Sequence, residues 1–273
     1  MGRASDLSAR RMNTVFIMRK NISKFYDTLF VSRCIACRKR IGEANALCRS
    51  CAEKLEDEKR NECGICGKKL SECTCSNDYL RRNGVRRTIK LLHYLPDDES
   101  YVGNLLLYRL KRNYLHVIHA FLASELSHSY RSLIEPWEDT VVTYVPRTAR
   151  QRRKYGFDQA MCVARALAKQ LDLPLVHALS RLPSAKTQKK IHGAEARRKN
   201  VKNSFLPRKK ISLRGKRVLL FDDIVTTGAT VAECARALRR MGAKEVIVAA
   251  IAVTAHYTNL KYEHAKNTRL DRF

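Results

Sequence analysis

The stretch from residue 218 to residue 230, VLLFDDIVTTGAT, runs four apolar residues into two adjacent carboxylates, then closes on three threonines and a glycine. Residues 218 to 221 read as a buried strand, and ATVAECARALRRMG (229–242), closed by Gly242, reads as the helix after it. In a parallel sheet, ligands bind beyond the carboxyl ends of strands, which is where this reading puts Asp222 and Asp223. Residues 226 to 230 (Thr226, Thr227, Gly228, Ala229, Thr230) bridge strand and helix. Amides at a helix N-terminus, a glycine that permits close approach and three hydroxyls make a cradle for a phosphate dianion. Carboxylates beside it accept hydrogen bonds from vicinal hydroxyls. Asp and Thr also cap helices, but one of each suffices for a cap. A sugar phosphate satisfies both ends of the motif.

The flanking sequence repeats the alternation. RRTIKLLHYL (86–95) reads as a strand and residues 101–130 carry a helical apolar period. TVVTYVP (140–146) is a β-branched core strand stopped by Pro146, FDQAMCVARALAKQL (157–171) a helix, LPLVHALSRL (173–182) a strand and KEVIVAAIAVT (244–254) another. Strands alternating with helices predict an α/β fold, a parallel sheet covered on both faces. Residues 181–216, rich in Lys186, Lys189, Lys190, Arg197, Arg198, Lys199 and Lys202, read as a mobile surface segment.

Ahead of this domain stand Cys34-x2-Cys37, Cys48-x2-Cys51, Cys63-x2-Cys66 and Cys73-x-Cys75. Two thiolates on a tight knuckle hold half a tetrahedral zinc site, so eight ligands provide for one or two structural Zn2+ ions. The simplest pairing takes the first four cysteines for one ion and the last four for the other. The spacing by itself leaves crossed pairing and one empty site open. A segment this small buries little core, so zinc would supply most of its folding energy. Cys162 and Cys234, at apolar helix positions, read as buried thiols.

These boundaries divide the chain into a basic leader (1–33), a zinc-ribbon module (34–76) and the α/β domain (77–273). In the leader, Ile22, Phe25, Tyr26 and Leu29 recur at helical spacing, for a short helix packed on the protein or a membrane-surface contact. With no spanning apolar run and no signal-peptide pattern, the expected location is cytoplasmic, peripheral at the membrane if the leader binds it. The 273 residues are 45% hydrophobic, enough for a core, and their 54 Lys and Arg against 26 Asp and Glu leave a formal net charge of +28. Such a surface favours polyanionic partners.

VLLFDDIVTTGAT resembles the phosphoribosyl pyrophosphate motif of the type I phosphoribosyltransferases. With the cysteine cluster, the chain from residue 34 to 254 resembles the ComF family of that superfamily, whose members are implicated in bacterial DNA uptake during competence. YVPRTARQRRKYGFDQA (144–160) is similar to the family's Val-Pro strand end followed by Arg-Gly-Phe-Asn-Gln, with Tyr155 and Asp158 where Arg and Asn are usual. TQKKIHGAEARRKNVKNSF (187–205) is similar to its Gln, Arg and Asn segment, here Gln188, Arg197 and Asn200. The resemblance implies that Asp222 and Asp223 contact ribose hydroxyls and that residues 226–230 hold the 5-phosphate. It further implies that Arg147 faces pyrophosphate, that residues 186–202 form a flap and that Mg2+ arrives with the ligand.

Two functions follow from these readings. One is a phosphoribosyltransferase acting on an acceptor that the sequence does not name; His192 and His256 read as incidental surface residues. The other is a DNA-handling protein that keeps the pocket for binding and works with the uptake machinery at the inner face of the membrane. For single-stranded DNA the candidates are Arg150, Arg152, Arg153 and Lys154 in RTARQRRK (147–154), and Arg109, Lys111 and Arg112 in RLKRNY (109–114).

Overall fold

A computed structural model describes residues 32–42, 45–96, 98–112, 116–136, 138–183 and 194–254. The leader helix, Lys186, Gln188, Lys189, Lys190, His192 and His256 lie outside them, as does the side chain of Arg197. In chain order the elements are α1 (Arg49–Lys59), α2 (Asp78–Arg82), β1 (Thr88–Tyr94), α3 (Val102–Arg112), α4 (His116–Leu133), β2 (Thr140–Tyr144), α5 (Ala149–Tyr155) and α6 (Gln159–Leu171). They continue with β3 (Leu179–Arg181), α7 (Ala194–Val201), β4 (Phe205–Pro207), β5 (Arg217–Val225), α8 (Ala229–Arg240) and β6 (Glu245–Thr254).

The main sheet is parallel throughout, in the order β1-β6-β5-β2. Its central strands are apolar on both faces because each is covered on both sides. Leu219, Phe221, Ile247, Ala249 and Ile251 share one core with α3, α4 and α6. Val218, Leu220, Val246, Val248 and Ala250 join the other with Leu80 of α2 and Val231, Ala235 and Leu238 of α8. The alternation follows the two-residue period of a strand. The predicted doubly covered α/β sheet is therefore the fold.

Three sequence expectations are corrected. LPLVHALSRL does not form one strand. Val142 donates to Pro174 O and accepts from Val176 N, both at 2.8 Å, in a single bridge at Leu175. The chain then turns away to pair β3 with β4 in a separate antiparallel hairpin. Proline has no amide to extend the ladder. The segment 181–216 is not simply mobile surface: Val201 of α7 and Phe205 of β4 are buried, and these sparse apolar residues anchor it. Cys234 is buried as expected, whereas Cys162 is half-exposed.

At the amino ends of the strands, charge is neutralised within the protein. Arg217, 2% exposed, donates to Glu245 at 2.9 Å and Glu135 at 2.8 Å, and Arg87 binds the same two carboxylates. The carboxyl ends are different.

Candidate functional site

The strand carrying the acids is longer than the sequence suggested. β5 continues through Asp222 and Asp223 to Val225, with Asp222 opposite Ala250 and Val225 opposite Val253 of β6. β2 stops at Tyr144, opposite Phe221. The acids therefore occupy the part of β5 that has outrun β2, still fixed by β6 but open on their other edge. Val145 N donates to Phe221 O at 2.9 Å, and the chain leaves through Pro146 to Arg147.

Asp223 accepts from Gln159 Nε2 at 2.8 Å and from its neighbour Ile224 N at 2.8 Å. Asp222 accepts from Asp223 N at 3.0 Å. Although Asp222 retains some accessible surface, desolvation holds its pKa well above the usual carboxylate range, and the adjacent Asp223 charge pushes the same way. Arg181 and Lys111 oppose the shift. Arg181, on β3, is a site residue that sequence reading passed over; a lone cation in an apolar run was the available signal. Lys111, read from sequence as a nucleic-acid contact, has Nζ 5.9 Å from the Tyr94 ring centre and its charge acts on Asp222.

Arg147 leaves β2 beside this pair. Its backbone N–H donates to Asp158 Oδ2 at 2.9 Å, its guanidinium stands over the Tyr155 ring at 4.8 Å, and burial lowers its pKa against the pull of Asp158 and Asp223. Asp158 is buried and also caps α6 by accepting from Met161 N at 3.4 Å. Among the described residues Gln159 Oε1 and Arg181 Nε are buried without a hydrogen-bond partner. Buried orphans of this kind call for a ligand or ordered water.

Gly228 caps α8 with φ +78°, a left-handed conformation that favours glycine. The first-turn amides of α8 have no carbonyl of their own helix to donate to, and Ala229 N reaches Thr227 Oγ1 at 3.4 Å. Thr226 through Thr230 thus surround a helix N-terminus a few residues from the acids.

The cysteines resolve into Cys34, Cys37, Cys48, Cys51 and Cys63, Cys66, Cys73, Cys75, with the ligand atoms of each set within 4.8 Å of one another. Crossed pairing is thereby excluded. Cys37 and Cys48 sulfurs lie 3.7 Å apart, and Cys66 and Cys73 sulfurs 3.4 Å. A tetrahedron with Zn–S of about 2.3 Å has edges of roughly 3.8 Å, so both sets fit structural zinc. The two knuckles repeat one design. Cys34 N donates to Lys39 O at 2.9 Å and Cys63 N to Lys68 O at 2.7 Å, with Arg38 (φ 69°) and Gly67 (φ 71°) at the matching left-handed positions.

The first set packs into the main core with Ile35, Leu47 and Leu55, and Glu58 of α1 accepts from Val102 N at 2.6 Å and Gly103 N at 2.9 Å to cap α3. The second set has a small cluster of its own, with Leu70 buried between Cys63 and Cys73. Lys90 of β1, 2% exposed, points its ammonium at Cys73 Sγ (3.1 Å) and Cys75 O (2.9 Å).

The basic runs differ in exposure. Arg150, Arg152, Arg153 and Lys154 all lie exposed on α5, which a Thr148–Gln151 capping box starts and Gly156 ends. Among the described residues none of the four has a carboxylate at ion-pair distance. Arg112 stacks over the exposed Tyr108 ring at 4.2 Å, while Arg109 is half-buried. No helix among the described residues is long and apolar enough to cross a membrane.

Known proteins share this arrangement. A phosphoribosyl transferase domain matches residues 158–272 and a double zinc ribbon domain residues 25–80. Competence protein F of Haemophilus influenzae is 29% identical, covering 80% of this chain and 96% of its own. DNA utilization protein YhgH of Escherichia coli K12 is 27% identical over 74% of this chain and 88% of its own. Competence protein ComFC of Bacillus subtilis is 29% identical over 72% and 79%. Among solved structures, a glutamine phosphoribosylpyrophosphate amidotransferase from B. subtilis is 24% identical over 50% of this chain and 26% of that chain, with a TM-score of 0.34. With a double zinc ribbon set ahead of a phosphoribosyl transferase domain, the chain is similar over most of its length to these competence and DNA utilization proteins, in line with its resemblance to the ComF family.

Proposed function

We propose that the protein binds a phosphoribosyl group, with phosphoribosyl pyrophosphate as the ligand, and serves DNA uptake or the handling of incoming strands. The observation that carries the first half is the position of Asp222 and Asp223 on the overhanging end of β5, a few residues from the α8 N-terminus. In this reading the carboxylates accept from the ribose hydroxyls, residues 226–230 hold the 5-phosphate and Arg147 faces the pyrophosphate. The paired carboxylates are hard oxygen donors that could hold Mg2+, which would arrive with the ligand and offset its phosphate charge. If transfer occurs, an acceptor nucleophile bonds to the anomeric carbon as its bond to pyrophosphate breaks. Pyrophosphate release, followed with and without single-stranded DNA, separates a transferase from a protein that only binds. Release dependent on the two acids makes the protein an enzyme with an acceptor still to be found; tight binding without release makes the pocket a binding site.

Ligand binding carries a pH signature. Desolvation, together with the Asp223 charge, raises the Asp222 pKa, against Arg181 and Lys111, so without ligand the folded chain holds this proton to higher pH than an unfolded chain does. That proton costs no stability below the ordinary carboxylate pKa; the penalty grows as pH rises toward the raised value. Hydroxyl donors favour the ionised form, so binding expels the proton and tightens with rising pH. Calorimetry in two buffers of different ionisation enthalpy is expected to show proton release, and Asp222→Asn to remove it. Release unchanged in Asp222→Asn would reassign the proton.

The second half rests on the relatives named for competence and DNA utilization and on the exposed cations of α5. Tyr155, 45% exposed, ends α5 against Arg147 and near Lys154, offering a stacking face beside Arg147. Affinity for a single-stranded oligonucleotide is expected to fall with salt, with a log–log slope of about 0.7 per phosphate contact. Neutralising Arg150, Arg152, Arg153 and Lys154 together should flatten that slope. A slope indifferent to the change removes α5 from the interface.

A further inference from the structure

The second cysteine set runs directly into the structure that supports the candidate phosphate loop. Cys75 bridges antiparallel to Arg87, and Thr88 N donates to Thr74 O at 2.8 Å. Ser76 and Thr88 hydroxyls, both buried, are 2.7 Å apart. With Lys90 on Cys73 and Cys75, these contacts fasten residues 73–76 to the start of β1. Asn77 comes next and caps α2, accepting from Leu80 N at 2.7 Å, while its Nδ2 lies 3.5 Å from Thr227 O. Leu80 is fully buried against the bare α-carbon of Gly228, where a Cβ would meet Leu80 Cγ at 2.8 Å. Glycine is thus required at 228 twice over, by its backbone conformation and by Leu80. A side chain five residues after a metal ligand forms the floor of the loop.

We propose that the site formed by Cys63, Cys66, Cys73 and Cys75 is the anchor of the 226–230 loop. Zinc there holds Asn77 and Leu80 under Thr227 and Gly228, and so sets the affinity of the loop for phosphate. Asn77 and Leu80 are positioning residues. The proposal rests on the reading of this loop as a phosphate site, but loop order can be measured without a ligand.

The test uses the full-length protein, with zinc content, amide hydrogen exchange across 226–230 in the absence of ligand, and calorimetry with phosphoribosyl pyrophosphate and Mg2+. Leu80→Ala is expected to retain the wild-type zinc content, speed exchange in the loop and weaken binding about tenfold, equivalent to about 1.4 kcal/mol. Leu80→Met should restore both. Leu122→Ala removes a comparably buried leucine from the opposite face of the sheet and should change neither. Cys75→Ser should lose one zinc per chain and speed loop exchange as Leu80→Ala does. If Cys75→Ser does not fold, Cys66→Ser takes its place, and loss of that zinc with loop exchange unchanged overturns the anchor. Unchanged exchange and affinity in Leu80→Ala, or an equal change in Leu122→Ala, overturns the anchor. Should the wild type fail to bind phosphoribosyl pyrophosphate while Leu80→Ala still loosens the loop, the anchor stands and the phosphate reading falls.

Discussion

Asp222→Ala combined with Asp223→Ala is expected to abolish phosphoribosyl pyrophosphate binding and leave the protein folded. Hydrogen bonds to charged groups contribute about 1.5–3 kcal/mol each, so losing two weakens binding by about 10²- to 10⁴-fold. The fold should tolerate the change for a separable reason. Desolvation and the Asp223 charge disfavour ionised Asp222, so deleting Asp222 relieves a cost, which offsets the loss of the Asp223 acceptor for Gln159 Nε2. Thermal stability at neutral pH should therefore change little while binding is lost. Binding that survives the double substitution would remove the pocket assignment, and a parallel collapse of stability would make the acids structural. Gln159→Ala should have a smaller effect, since it frees the Asp223 carboxylate from its 2.8 Å partner without removing it.

Much of this was legible because it is written in contiguous residues. VLLFDD and TTGAT fall on one strand, one turn and one helix start, so a single local reading brings acids and loop together. The two cysteine sets likewise follow chain order, although spacing alone left crossed pairing open. Arg181 and Lys111 were not legible as neighbours of Asp222. They come from β3 and α3, and only the folded chain brings their charges to the acid. Leu80 was equally hidden. In sequence it is one apolar residue among charges, and its role depends on a glycine far along the chain having no side chain. The short bridge at Leu175 shows the opposite error. An apolar run after Pro174 satisfies strand propensity, but the tertiary contacts of β4 draw its second half into another sheet.

Zinc loss should also damage the two sites unequally. Metal analysis of the intact protein is expected to find two zinc ions per chain, and Cys34→Ser with Cys51→Ser to leave one. In zinc-finger peptides the metal contributes about 10–16 kcal/mol, comparable with the roughly 5–15 kcal/mol stability of a whole domain. The consequence depends on what each site holds. Cys34 and Cys51 are buried in the main core with Leu55, Leu106 and Leu110, and α1, which carries Cys51, supplies the Glu58 cap of α3. Losing the first ion therefore exposes core shared with the sheet, and the melting temperature should fall by more than about 10 °C, at 2–4 °C per kcal/mol for a chain of this size. Among the described residues Cys63 and Cys73 form a small cluster with Leu70 and Cys75, so Cys63→Ser with Cys66→Ser should also leave one ion but lower the melting temperature less. Equal losses from the two pairs would mean that the first site is not integrated into the core, and an intact protein without zinc would remove the metal from both.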